Sequence, residues 1–152
     1  MTRSSDILSA ILDDPTNLAH VAALTTPDVT YVSLNDENPD LTSIMPWCGT
    51  RHGPQVIVDT FRDVARYWDV LNFETLALFG DDENAAMFGR FTYRSTVLGQ
   101  TVTSPFAVWA RIKDGTCHHL QFMEDTLATS ASFKKHGAWT FHSNPDGGEV
   151  SF

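Results

Sequence analysis

The stretch Val108–Thr126, "VWARIKDGTCHHLQFMEDT", decides the fold class. Apolar and polar residues alternate on both sides of Asp114-Gly115, the pattern of two strands joined by a tight turn. The second strand ends in two adjacent carboxylates, Glu124 and Asp125, and a segment of helical composition, "TLATSASFKKH", follows. Successive strand side chains point to opposite faces, so one carboxylate faces each way. Asp125 stands immediately before the helical segment, where N-capping is sufficient reason for it.

Outward from this hairpin the pattern repeats. After Asp69, four segments of strand type are separated by "GDDEN", "LGQ" and "KDG", each of hairpin-loop length, which predicts an antiparallel meander. Pro105 within one strand predicts a bulge that bends the sheet. Before the meander, "GPQVIVDTFRDVARYW" spaces Ile57, Phe61, Val64 and Trp68 three or four apart, which predicts an amphipathic helix. The β-branched run Asp28–Leu34 predicts a strand, and the polar stretch from Asn35 to His52 a long loop. Two short helices precede these. One lies behind Ser4 and Ser5, and one has Asp14 as its cap and Pro15 at its first position. The segment 137–152 has turn chemistry and reads as a C-terminal tail. The sum is a single α+β domain over 1–152, with helices packed on one face of a curved, mainly antiparallel sheet that encloses a pocket.

Composition narrows the function classes. The 152 residues suffice for one sizeable core. The net charge is −9 and the ten Lys and Arg are scattered, which argues against nucleic acid and against an anionic membrane surface as partners. The N-terminal segment lacks the apolar run of a signal peptide, and no run approaches the length of a membrane span. Cys48 and Cys117 lie far apart without metal-site spacing. A reduced, cytoplasmic protein with no metal and no cofactor is expected.

Three-residue loops at LGQ and KDG would pair Val97 with Thr101 and Ile112 with Thr116. The rows that follow put Arg94, Ser104 and Glu124 side by side, then Thr92, Phe106 and Phe122, then Arg90, Val108 and Leu120, all on the pocket face. Strands two apart are separated by about 10 Å, so a long Arg reaches a Glu across a small Ser, and Arg94 with Glu124 is a candidate pair. His118 falls on the pocket side near the sheet end, without the further converging ligands that a metal needs. The opposite face would carry Phe91, Tyr93, Ala107, Trp109, Gln121 and Met123. Such an apolar face predicts a homodimer, with a covering by the C-terminal tail as the rival.

The order of these elements resembles the nuclear transport factor 2-like superfamily, in particular its SnoaL-like and ketosteroid-isomerase-like members. The resemblance covers about Asp6 to His136. It is carried by "PDVTYVSL" after paired helices, by "MPWCGTRHGPQVIVDTFRDV" leading into the long helix, and by the terminal strand, D-G turn and strand. It implies a cone-shaped, cystatin-like α+β fold, a dimer through the sheet, and a ligand cavity between sheet and helices. The relatives' catalytic sets are not kept. The isomerases' general-base position looks like Ser33, which cannot be that base. The Arg-x-Asp pair and facing Asp of the epoxide hydrolases look like Arg90, Thr92 and Phe122, and only the Arg is present.

The candidate catalytic residues are therefore Glu124, Arg94 and Tyr31. Burial would raise the Glu124 pKa and a paired Arg would lower it, so general acid/base, ligand hydrogen-bonding and structural ion-pair roles all stay open. Tyr31, Ser33 and Asn35 share one face of the first strand, where Tyr31 would donate to a carbonyl or an oxyanion, or be a buried core tyrosine. Trp47 and His52 sit in the loop at the cavity mouth as a lid or as anchors. Ser33, Asn35, Trp47, Phe61, Arg90, Thr92, Ser104, Phe106, Val108, Leu120 and Phe122 are the expected ligand-binding lining. The expected function is binding of a small apolar cyclic or aromatic molecule, with acid/base isomerisation, cyclisation or hydration as the chemistry. The alternative is a non-catalytic ligand-binding or dimeric association domain.

Overall fold

The computed structural model describes residues 3–152. The elements run α1 (Ser4–Asp13), α2 (Leu18–Leu24), β1 (Thr25–Ser33), α3 (Pro39–Ile44), β2 (Gly49–His52), α4 (Pro54–Tyr67), β3 (Trp68–Gly80), β4 (Asn84–Ser95), β5 (Thr101–Lys113), β6 (Thr116–Glu124) and α5 (Thr126–Ala131). Two residue pairs, β7 (Thr140–Phe141) and β8 (Val150–Ser151), form a separate C-terminal hairpin. Six of the described strands make one sheet in the order β2-β1-β6-β5-β4-β3, antiparallel except where β1 lies parallel to β6. This is an α+β architecture with a mainly antiparallel sheet. No described helix is long and apolar enough to cross a membrane.

Local signals explain most boundaries. Asp125 caps α5, its Oδ1 accepting from Ala128 N–H at 3.1 Å, and this satisfies a donor that the first helical turn leaves free. α4 begins at Pro54 after Gly53, whose φ of 100° lies in the left-handed region that favours glycine. The cap of α2 is Asn17, not Asp14, because its Oδ1 accepts from His20 N–H at 3.2 Å. The stretch from Asn35 to His52 is not one loop. Asn38 caps α3 through Leu41 N–H at 3.1 Å, and β2 then pairs with β1.

The turn between β4 and β5 corrects the sheet register. Arg94 pairs with Thr101, and Ser95 N–H donates to the Gln100 carbonyl at 2.9 Å, so the loop is longer than three residues. Each β4 residue therefore stands three positions from its expected partner, and an odd displacement exchanges the faces of a strand. Phe91 and Tyr93 face the core, at 0% and 5% exposure, and are removed from the outer face on which they were expected. Arg90, Thr92 and Arg94 take the outer face instead. Arg94 meets Asp69 at 3.4 Å and Arg90 meets Glu74 at 3.5 Å, so the pairing of Arg94 with Glu124 does not exist.

The β5–β6 ladder differs from expectation by two residues over most of its length, and an even displacement leaves the faces unchanged. Phe106 pairs with Glu124 and Val108 with Phe122. The bulge falls near the turn, where Ile112 pairs with Cys117 and Arg111 with His119. This leaves His118 as the extra residue, not a pocket-facing one. Pro105 pairs with Arg90 without a break and lies beyond the last β5–β6 pair, where a missing N–H costs no ladder bond.

The helices cover the inner face around one core that includes Ile7, Leu8, Ile11, Val21, Ile57 and Val58. Gly89 is required there. A Cβ at this position would collide with the Phe106 ring, which stacks on Phe122 at a centroid distance of 5.3 Å.

Candidate functional site: a buried acid in an aromatic pocket

α4 crosses the inner face of the sheet, where β1 and β6 run side by side and β5 separates β6 from β4, and leaves a small cavity. Tyr31, Ser33 and Leu34 line it from β1 and its end, Tyr93 from β4, Phe122 and Glu124 from β6, Thr60, Phe61 and Val64 from α4, and Trp47 from the segment before β2. Its free volume is about 20 Å³, room for about one water molecule.

The aromatic walls are interlocked. Trp47 is 3% exposed and meets Tyr67 and Trp68 edge-on at 4.9 and 5.4 Å, so it is a buried anchor that also forms a wall. Phe61 meets Phe122 edge-on at 6.3 Å. Trp68 packs on Tyr93 at 5.4 Å, and its indole N–H donates to Ser132 Oγ at 2.9 Å, which ties β3 to the end of α5.

Glu124 is the carboxyl of this pocket. Its Oε2 is out of reach of solvent and has no hydrogen-bond partner. Desolvation raises its pKa to about 7. The Thr129 hydroxyl beside it opposes the shift, and the charge of Asp125 adds to it. Burial, together with the nearby Glu124 charge, also pushes the Tyr31 and Tyr93 hydroxyls far above their ordinary range, with Ser33 opposing this at Tyr31. Burial pushes the Cys48 thiol up to about 12. Around neutral pH the site therefore holds two protonated tyrosines and one carboxyl near its midpoint.

The chain that carries Glu124 is pinned from both sides. Glu124 forms the last β5–β6 pair, opposite Phe106, and the next N–H, of Asp125, donates to Ser104 Oγ at 2.9 Å. On the adjoining strand, Leu34 N–H donates to the Phe122 carbonyl at 2.8 Å while Leu34 sits at φ 69°. That left-handed conformation costs a residue bearing a Cβ about 1–2 kcal/mol. It interrupts the alternation of β1, so Leu34 lines the cavity in place of Asn35.

Of the residues expected in the lining, the structure brings together Tyr31, Ser33, Trp47, Phe61, Phe122 and Glu124. Ser104, Phe106, Val108 and Leu120 share the inner face but are buried in the core, and Arg90, Thr92 and Arg94 are on the other side of the sheet. His52 is exposed on β2, its Nδ1 3.3 Å from Thr30 Oγ1. Tyr93, Thr60, Val64 and Leu34 were missed. Val64 belonged to the apolar stripe of α4, whereas Tyr93 was hidden by the β4 register. Among the described residues, no group of three or more His, Cys, Asp or Glu side chains is placed to hold a metal ion.

The family model of the SnoaL-like domain matches residues 14–120 and so ends before Glu124. The chain is 46% identical over 129 residues to patulin synthesis protein F of Aspergillus clavatus, in an alignment covering 82% of this chain and 65% of that protein's length. Among solved structures, it is similar to an NTF2-like protein of Burkholderia thailandensis, with TM-score 0.74 and 20% identity, over 89% of this chain and 100% of the other. It is also similar to TerC co-crystallised with polyporic acid, with TM-score 0.68 and 16% identity, over 86% and 97% of the two chains. At these identities the structural likeness carries the fold alone.

Proposed function

The chain belongs to the SnoaL-like family, and on that premise we propose that its pocket binds a small cyclic or aromatic oxygenated molecule and transfers a proton on it. The observation that carries this reading is Glu124, a half-buried residue whose Oε2 is out of reach of solvent and without a partner, and whose pKa is raised to about 7 by desolvation. A general acid/base works best with a pKa near the operating pH, because both protonation states are then available. The ionised carboxylate takes a proton from a carbon beside a ring carbonyl, and the resulting acid returns it to another position. Tyr31 and Tyr93, held protonated by burial, donate to the carbonyl oxygen as negative charge develops on it.

Two similar proteins support this substrate class. The relative in Aspergillus clavatus is named for patulin synthesis, and TerC was crystallised with polyporic acid. The free volume of the cavity is smaller than a six-membered ring, so ligand binding displaces part of the wall. Phe61 and Val64 on α4 are only half-buried and are the residues that yield.

The test is hydrogen exchange into a panel of small ring ketones in heavy water, followed by NMR. The protein accelerates exchange for at least one member, and Glu124→Gln loses the acceleration while keeping most of the affinity. Binding with no acceleration by the unaltered protein would leave a non-catalytic pocket, which is the alternative function.

A homodimer is the second element of this proposal. The outer sheet face carries Phe88, Trp109 and Met123 at 48, 41 and 47% exposure, with Gln121 among them. Sheet faces of this kind are characteristically covered by a partner. A second copy buries them in this proposal.

A further inference from the structure

The ionisable side chains lining the cavity are all acids. β6 supplies Glu124, β1 supplies Tyr31 and β4 supplies Tyr93, while α4 supplies Thr60, Phe61 and Val64, which do not ionise. Cys48, close enough to feel the Glu124 charge, is an acid as well. From α5, Thr129 adjoins Glu124, and the exposed Asp125 is engaged as a helix cap.

Two arginines are kept out by the sheet itself. Arg90 and Arg94 lie on the opposite face beside Glu74 and Asp69. Arg51 pairs across from Tyr31 and its charge reaches Cys48, but it stands on the exposed edge strand outside the lining, where its guanidinium donates to the Pro46 carbonyl at 2.7 Å.

We infer that this pocket selects its ligand by charge: it takes an uncharged ring compound with an acceptor oxygen, and admits an anion only together with a proton. The inference rests on the pocket reading above and names the charge state of its ligand. An anionic group would share a water-poor cavity with the Glu124 carboxylate, and no cation lines the cavity to offset the repulsion. It is tolerated once Glu124 is protonated, because the cavity then presents three hydroxyl donors. A cation would pair with the carboxylate but bring no acceptor oxygen for the Tyr93 hydroxyl, and so would forgo a hydrogen bond that a carbonyl makes. An uncharged carbonyl meets the donors without either penalty.

Three single-ring probes of similar shape test this: acetophenone, benzoate and benzylamine, each titrated calorimetrically into the full chain at about pH 6 and about pH 8.5. Acetophenone binds at both pH values with little change. Benzoate loses about tenfold in affinity per pH unit above the Glu124 midpoint, and binds in that range with uptake of about one proton, read from buffers of different ionisation enthalpy. In Glu124→Gln the pH dependence for benzoate disappears while acetophenone binding persists.

Benzoate binding as tightly as acetophenone at the higher pH would overturn the inference, and so would tighter binding of benzylamine. Failure of all three probes to bind at millimolar concentration overturns both this inference and the pocket reading. The two separate if charge selection holds while Glu124→Gln still exchanges ketone hydrogens: selection then stands and the proposed chemistry falls.

Discussion

Ser104 Oγ accepts the main-chain N–H of Asp125 at 2.9 Å and donates to the Pro105 carbonyl at 2.7 Å, so one fully buried serine holds the chain immediately after Glu124. The β5–β6 ladder has already ended at Phe106 and Glu124. Beyond that pair, this bond holds the main chain that follows the carboxyl. The aim of the acid thus depends on a residue that does not line the cavity.

Ser104→Ala removes that acceptor and leaves the part-buried Asp125 N–H without its partner, a loss of about 0.5–1.5 kcal/mol. Urea denaturation reads the cost, and faster amide exchange at Asp125 locates it. An unchanged midpoint with unchanged exchange would mean that the tether is dispensable.

Glu124 makes stability depend on pH with a definite sign. Its folded pKa, raised from 4.5 to about 7, means that the folded state holds a proton that the unfolded state has released. Stability from this group therefore falls as pH rises from about 4.5 through about 7, by at most about 3 kcal/mol in total. Glu124→Gln removes that slope, so the variant is more stable than the parent at pH 8 and about equal to it at pH 4.5. Parallel denaturation curves for the two proteins across this window check it. A difference that grows toward acid pH would contradict the assignment.

Tyr93→Phe removes one donor to the ligand while keeping the ring that stacks on Phe91 at 3.9 Å and packs on Trp68. Affinity for a ring ketone falls about threefold to tenfold, the worth of one neutral hydrogen bond. Thermal stability moves little. Calorimetric titration of acetophenone measures the first and a melting curve the second. An unaltered affinity would remove Tyr93 from the donor set.

Trp109→Glu places a charge in the outer sheet face, where the indole N–H donates to Asn84 Oδ1 at 3.0 Å and the ring is 41% exposed. Sedimentation velocity shows a dimer for the parent and a shift to monomer for the variant, with dimer affinity down by about tenfold or more. A parent that sediments as a monomer at all accessible concentrations defeats the dimer proposal.

The sequence by itself determined most of the element types, α3 and β2 excepted, and the faces of β5 and β6. Alternation along Val108–Thr126 already set Phe122 and Glu124 on one side and Met123 on the other, because a strand has a strict period of two. The stripe of Ile57, Phe61 and Val64 marked the helix that closes the cavity, and Asp125 was legible as a cap from its place before α5. The tertiary structure alone decided which face of β4 looks inward. The β4–β5 loop places Arg94 opposite Thr101, and that odd displacement turns Tyr93 into the cavity that Glu124 lines while both arginines turn outward. Local sequence cannot specify this, since hairpin loops of several lengths suit the same composition and each added residue exchanges the two faces. Leu34 is a second case. Its left-handed φ is imposed by the bond to Phe122 and by burial, against its own preference, so no local pattern announces that β1 ends there. The carboxyl was readable as a residue. Its lone burial among tyrosines, with no arginine in the lining, came from packing.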